Sequence, residues 1–199
     1  MKVLRAEFVA SAAAPSQFPA AGLPEIAFAG RSNVGKSSLL NALLGGARLA
    51  RVSRTPGRTR LLNFFRVVTS GRQGAAFMFV DLPGYGYAEA AKAVQEQWGP
   101  MIEEYLAARP PLRGVVLLTD VRRGEQEEIS LARWVEGQGL GLVAVATKID
   151  KLPRGQRVQG LRDLEALLGV PVIGCSATTG EGTAAVWKAV REMLGRPRA

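Results

Sequence analysis

The stretch GRSNVGKSSLLNALL, Gly30 to Leu44, follows the apolar run EIAFA and leads into a helical pattern with Leu39, Leu40, Leu43 and Leu44 on one face. A strand that passes through a glycine-rich turn into a helix with one apolar stripe needs a sheet for that stripe to cover, so the chain is expected to be α/β. The rest of the sequence repeats the alternation. AAFMFVD precedes a helical pattern from about Val94 to Ala108, GVVLLTD precedes EEISLARWVEG, GLVAVATKID precedes VQGLRDLEALLG, and PVIGCSA precedes TAAVWKAVREML. Such a rhythm gives a mostly parallel sheet with helices on both faces. LLNFFRVVTS and AAFMFVD break it, because the GRQG between them is too short for a crossover helix; an antiparallel hairpin at one end of the sheet is expected there. Gly45-Gly46 is expected to stop the first helix. Ala10 to Pro24 reads as a surface excursion after a short N-terminal strand, and GRPRA as a frayed tail.

Length and composition narrow the class. The 199 residues suffice for one core and fall short of two full domains. No apolar run approaches the roughly eighteen residues of a membrane span, and Arg5 and Glu7 interrupt any signal-peptide core. The single cysteine cannot form an internal disulfide, so a reducing, cytoplasmic setting without membrane contact is expected. The formal charge is +9, and between Gly45 and Gly74 lie seven arginines, Arg48, Arg51, Arg54, Arg58, Arg60, Arg66 and Arg72, with no Asp or Glu. That field favours a polyanion, nucleic acid above all, over the alternative of a solvated basic face. Histidine is absent, which removes the commonest general base near neutral pH.

Gly30, Gly35, Lys36 and Ser37 fit G-x-x-x-x-G-K-[ST] in the strand-to-helix context that motif requires. In such a loop the main-chain N–H groups of Arg31, Ser32, Asn33, Val34 and their neighbours through Ser38 converge on phosphate oxygens, aided by the helix N-terminus. Lys36 is expected to reach the β- and γ-phosphates and Ser37 to ligate Mg2+. An ordinary glycine-rich turn is the alternative. Asp81, Leu82, Pro83 and Gly84 end the strand AAFMFVD on the side where parallel sheets place ligands. Asp81 would hold Mg2+ through a water, and the Gly84 N–H would sense the γ-phosphate.

The base is read from Thr147, Lys148, Ile149 and Asp150, which follow the strand GLVAVA. A carboxylate at Asp150 can accept two hydrogen bonds from the N1–H and amino group of guanine, which adenine cannot return. The Lys148 stem can lie over the base. Ser176 and Ala177, after the last strand, are placed to offer a backbone N–H to guanine O6. Cys175 sits beside them and reads otherwise as a small buried hydrophobe. The ligand is expected to be GTP or GDP.

With these motifs in this order the chain resembles a translation-factor-related GTPase. GLPEIAFAGRSNVGKSSLLNALL, TPGRTRLLNFF, DLPGYGYA, WGPMIEEYL and TKIDKLP are similar to the EngB (YihA/YsxC) family of bacterial GTPases, over about Ala6 to Leu194. The resemblance implies a Ras-like P-loop GTPase fold, with a mostly parallel six-stranded sheet, one antiparallel edge strand and a short extra N-terminal strand. It implies a GTP-binding domain over 25–195, an extension of residues 1–24 packed on it, and a tail of 196–199. It further implies a switch that hydrolyses GTP in large ribosomal subunit assembly, with large-subunit precursor rRNA as partner, and a need for it in cell division and septation. By the match of PGRT to the family's first switch, Thr59 is carried over as the second Mg2+ ligand. Gly57, Arg58, Arg60 and Leu61 come with it as nucleotide neighbours; the residues alone leave Thr55 and Thr59 equivalent. Leu61 departs from relatives that carry a hydroxyl there.

Where Ras-like proteins have a glutamine after D-x-x-G, this chain has Tyr85, which is expected to pack or gate rather than orient water, so intrinsic hydrolysis should be slow. Asn33 resembles the asparagine that binds K+ in several such GTPases, which makes K+ a second expected ion; bracing of the loop is the alternative. About Leu49 to Arg60 and Gly84 to Ala93 are the two expected switches, and ordering the first would present its arginines to rRNA only in the GTP state. Trp98, Trp134 and Trp187 read as core, Asp120 as the cap of its loop, and Glu103, Glu104 and Glu125 to Glu128 as solvated helix surface. A monomer is the default. The competing readings are a GTP-gated binder of a division protein, a P-loop kinase, and a basic RNA-binding module with a vestigial pocket.

Overall fold

The structure is a computed structural model that describes residues 2–46, 49–50, 61–70, 75–85, 101–122 and 126–196. In chain order it runs β1 (Val3–Ala12), a 3-10 turn (Pro15–Gln17), β2 (Glu25–Gly30), α1 (Lys36–Leu43), β3 (Leu62–Thr69), β4 (Ala76–Asp81) and helical residues 101–108, here α2. It continues with β5 (Leu112–Asp120), α3 (Gln126–Gly137), β6 (Gly141–Thr147), a second 3-10 turn (Ile149–Lys151), α4 (Arg154–Leu168), β7 (Val172–Gly174) and α5 (Thr183–Leu194). The α/β class is as expected. The strands form one seven-stranded sheet in the order β1-β3-β4-β2-β5-β6-β7. Pairings from β4 through β7 are parallel, and β3 runs antiparallel to both its neighbours.

The β3–β4 hairpin expected from the short connection is present, but it does not end the sheet, because β1 pairs along the whole of β3. β1 is ten residues long and reaches Ala12, so Ala10 to Ala12 belong to the strand and not to a surface excursion. Two register shifts, between Val3 and Arg5 and between Phe8 and Ala10, explain why the sequence hides its length. Each shift reverses the face on which side chains fall, so no sustained two-residue alternation survives to be read.

Alternate residues of β2 serve two cores, which is why EIAFA is apolar throughout. Ile26 and Phe28 pack with Phe65, Phe79 and the α1 and α5 residues Leu40, Leu43, Val186 and Val190. Ala27 and Ala29 pack with Phe64, Val80, Val115, and Tyr105, Ala132 and Val135 from α2 and α3. Glu128 is a departure from expectation: it is only 2% exposed. Its place explains this, since Glu128, Ala132 and Val135 follow the i, i+4, i+7 stripe that turns toward the sheet. Trp134 and Trp187 are partly buried against the two cores, as expected, whereas Trp98 lies outside the described residues. Helix α5 can approach closely because Gly114 and Gly141 face each other across β5 and β6. A Cβ on Gly114 would lie 2.5 Å from Met193 Sδ, and one on Gly141 2.8 Å from Met193 Cγ.

The N-terminal end of β2 is closed by a buried polar cluster. The Arg109 guanidinium donates to both oxygens of Glu25 and to Pro19 O, and the Tyr105 hydroxyl donates to Glu25 Oε2. It ties the end of α2 to the segment that enters β2, at the opposite end from the loop after Gly30.

Candidate functional site

The loop from Gly30 to Lys36 leaves the C-terminal end of β2 between β4 and β5. Gly30 is confined: a Cβ there would sit 2.9 Å from Leu118 O and 3.0 Å from Val34 Cγ1. Gly35 caps α1 with φ of 106°, a left-handed conformation that a side chain would strain, and Asn33 is left-handed at φ 64°. Val34 is buried and anchors the loop. The Thr147 hydroxyl lies 2.6 Å from Val34 O and 3.1 Å from Thr119 O, so one side chain links the loop, β5 and β6. Its single proton serves the nearer carbonyl best.

Asp81 ends β4 beside this loop, and its carboxylate is ion-paired with the Lys36 ammonium. Both side chains are only 10% exposed. The phosphate-type lysine and the D-x-x-G aspartate are thus brought together as the sequence implied. The turn after β4 folds back onto the loop: Leu82 N–H donates to Phe28 O, Ser32 N–H donates to Tyr85 O at 2.8 Å, and Arg31 and Tyr85 form an isolated parallel bridge. Pro83 is buried. Gly84 meets Ser32 so closely that a Cβ would fall 3.0 Å from its Oγ and 3.1 Å from its backbone N. Tyr85 is half-buried and engages the loop through its main chain.

On the other side of α1 a cavity of about 220 Å³ is lined by Gly35, Ser38, Leu39, Thr147, Lys148, Asp150, Cys175 and Ala177 among others. Lys148 is left-handed, with φ of 60°, and its Nζ donates to Asn33 O at 2.8 Å and to Asp120 Oδ2 at 3.1 Å. Asp150 receives a hydrogen bond from the Ser176 hydroxyl, which holds its carboxyl below the usual range against a smaller opposing effect of burial. Ser176 is itself fully buried and its Oγ accepts from Thr179 N–H at 3.2 Å. Its own N–H donates to Glu181 O, so of the two backbone groups expected to face a base it is committed elsewhere, while Ala177 lines the cavity. Ile149 is buried and its N–H donates to Cys175 O. Burial, helped by Glu181, pushes the Cys175 thiol up to about 11, which fits the reading of an inert hydrophobe that lines the pocket.

Hard oxygen donors suited to a small divalent cation are present at Ser37, which opens α1, and Asp81. Among the described residues no group of three or more His, Cys, Asp or Glu could cage a metal alone, so such an ion would be completed by phosphate oxygens and water. Leu61 is half-buried just before β3. Gly57, Arg58, Thr59 and Arg60 lie outside the described residues, as do Thr55 and the arginines of the expected first switch. Arg66 is described, on β3, facing Glu7 at 3.4 Å. No helix of the described residues is long and apolar enough to cross a membrane.

Asp120 is a site residue that sequence reasoning set aside, and Arg122 is one it did not consider. Asp120 does cap its loop, accepting from Arg122 N–H at 3.1 Å, but it also holds Lys148. The available signal was positional: Asp120 ends β5 on the ligand side, beside Thr147 in register.

Comparison with known proteins agrees with this arrangement. A family model described as "50S ribosome-binding GTPase" matches residues 25–148. The chain is 46% identical over 201 residues to "Probable GTP-binding protein EngB" of Syntrophus aciditrophicus, covering 100% of both chains. It is 45% identical to the protein of that name from Geobacter metallireducens over 198 residues, 98% of this chain and 94% of that one. Among solved structures it matches a probable GTP-binding protein engB with a TM-score of 0.65 at 24% identity, over 85% and 98% of the two chains. It matches Aquifex aeolicus Era bound to GDP and AlF4− with a TM-score of 0.69 at 23% identity, over 87% and 58%. These last two likenesses carry the fold.

Proposed function

The chain belongs to the EngB family of GTP-binding proteins and is a GTPase, and from that premise we propose that it acts as a GTP-driven switch in large ribosomal subunit assembly. Normal cell division and septation depend on it in this reading. The observation that carries the nucleotide chemistry is the convergence of Lys36, Asp81, Lys148 and Asp150 around the N-terminus of α1. The ribosomal partner is supported by the match of residues 25–148 to a family described by 50S binding and by the net charge of +9. Residues 25–195 form the GTP-binding domain in this proposal, with 1–24 an extension and 196–199 a tail.

In this account the main-chain N–H groups from Gly30 to Ser38 cradle the phosphates, and Lys36 exchanges its Asp81 partner for the β- and γ-phosphates. Asp81, freed from that pair, would hold Mg2+ through a water, with Ser37 and Thr59 as the direct ligands, and the ion would supply charge neutralisation at the transferred phosphoryl group. The Gly84–Tyr85 turn, which now holds Ser32, must yield where the γ-phosphate enters, which couples nucleotide state to the second switch. Asp150 reads the guanine edge, the Lys148 stem covers the base, and the Ala177 N–H meets O6. Tyr85 packs rather than orients water, so unassisted turnover is slow. Asn33 would hold K+ beside the phosphates, where the ion would neutralise developing charge; equal turnover in KCl and NaCl at matched ionic strength would remove that element.

The arginine-rich first switch presents a basic surface to rRNA in the GTP state. Co-sedimentation with large-subunit precursors tests this: stronger, salt-sensitive binding with a non-hydrolysable GTP analogue than with GDP is expected. Equal binding with both nucleotides would defeat the gating, and salt-insensitive capture of a division protein instead would defeat the ribosomal reading.

A further inference from the structure

We propose that Asp120 is a positioning residue that holds Lys148 across the phosphate loop and thereby sets how long a guanine nucleotide stays bound. The proposal rests on the reading of Lys148 and Asp150 as the base-side wall. Lys148 follows Thr147, which lies beside Asp120 in the β5–β6 register. Its left-handed backbone turns the side chain back toward the loop, where the ammonium bridges Asn33 O at 2.8 Å and Asp120 Oδ2 at 3.1 Å. A lysine head on a four-carbon stem would otherwise sample many rotamers, and a main-chain carbonyl alone is a weak tether.

Asp120 is suited to the task because it is itself fixed. Its side chain is 14% exposed, and Arg122 grips it with Nε on Oδ1 at 2.8 Å and Nη2 on Oδ2 at 2.7 Å. Arg122 N–H adds a third bond to Oδ1 at 3.1 Å. The two cations keep the carboxyl far below the usual carboxylate range, Arg122 being the larger cause, so the tether stays charged at any pH at which the protein would work. A rigid chain results, Arg122 to Asp120 to Lys148 to Asn33, from the end of β5 to the phosphate loop. The lysine stem lies along the cavity that Asp150 also lines. Binding energy that would be spent ordering this wall is then available to retain the nucleotide.

The test is a double-mutant cycle on the dissociation rate of a fluorescent GDP, with D120N, K148A and D120N/K148A, alongside thermal melts of the nucleotide-free proteins. D120N is expected to speed release about tenfold, a mid-range coupling for contacting residues, and to have little further effect in the K148A background. R122A, which leaves the Asp120–Lys148 pair in place, should speed release less than D120N. Multiplicative effects of D120N and K148A, or an unchanged rate in D120N, would overturn the proposal. Should D120N instead lower the nucleotide-free melting temperature and act equally with or without Lys148, Asp120 is merely a fold residue and the proposal fails. If K148A and D150N both left GDP affinity unaltered, the base-side reading would fall independently of it.

Discussion

Replacing Arg109 by methionine should be among the most destabilising single changes in the described residues, and the structure gives the size. Arg109 donates to Glu25 through Nε at 3.1 Å to each carboxylate oxygen and through Nη2 at 2.6 Å, and Nη2 also reaches Pro19 O at 2.8 Å. Its guanidinium carbon lies 5.6 Å and 5.9 Å from the ring centres of Phe18 and Phe64. Glu25 is 1% exposed, so in R109M its carboxylate keeps only the Tyr105 hydroxyl, 2.8 Å away. Burial, helped by Glu25, raises the Tyr105 phenol, so it remains a donor rather than a second anion. Breaking a buried pair by removing one partner costs about 3–5 kcal/mol. At about 2–4 °C per kcal/mol for a chain of this size, the melting temperature should fall by roughly 6–20 °C. Removing both charges is a different perturbation: E25L/R109M should recover most of the loss, since an apolar replacement of a buried pair is often neutral. Urea denaturation of the nucleotide-free proteins, with GDP affinity measured separately, is the assay. The cluster lies at the far end of β2 from the phosphate loop, so GDP affinity should hold in whatever fraction stays folded. A loss below about 1 kcal/mol for R109M, or a double variant that costs the sum of the singles, would refute the reasoning.

Thr147→Val removes the hydroxyl shared by Val34 O and Thr119 O and should cost about 1–3 kcal/mol, read as weaker GDP binding together with a lower denaturation midpoint. Gly182→Ala would place a Cβ 1.9 Å from Gly174 O at a φ of 79°, so soluble yield and melting temperature should both drop sharply; an unaltered melt would contradict the geometry. Ser176→Ala should let the Asp150 carboxyl rise toward its ordinary value of 3.8. Because guanine needs the charged form and the native carboxyl is depressed, binding is retained down to low pH and lost only as pH falls through the folded-state value. In S176A that acid loss should begin at higher pH, which a GDP titration between pH 3.5 and 6 would detect.

Much of this was legible in the residues. Lys36, Asp81 and Asp150 announce themselves because a phosphate loop, a strand-end carboxylate and a base-reading carboxylate each need a fixed spacing from a strand end. The strand–helix alternation likewise pointed to the parallel pairing of β2, β4, β5, β6 and β7, though not to their order in the sheet. Three features escaped for identifiable reasons. β1 was underestimated because its two bulges erase the alternation that marks a strand. Glu128 looked solvated because every residue of EQEE is charged or polar, yet helical phase carries it to the sheet with Ala132. Asp120 looked like a loop cap because its partner Lys148 is 28 positions away, and only the β5–β6 register joins them.

The most direct test is equilibrium titration of the purified protein with labelled GDP and Mg2+, competed separately by GTP, ATP and xanthosine diphosphate. Saturable uptake displaced by GTP and not by ATP is expected, with Asp150→Asn shifting preference toward the xanthine nucleotide, whose C2 carbonyl can accept from the new amide. No saturable uptake, or displacement by ATP as readily as by GTP, would contradict the assignment of the Lys36 and Asp150 pocket.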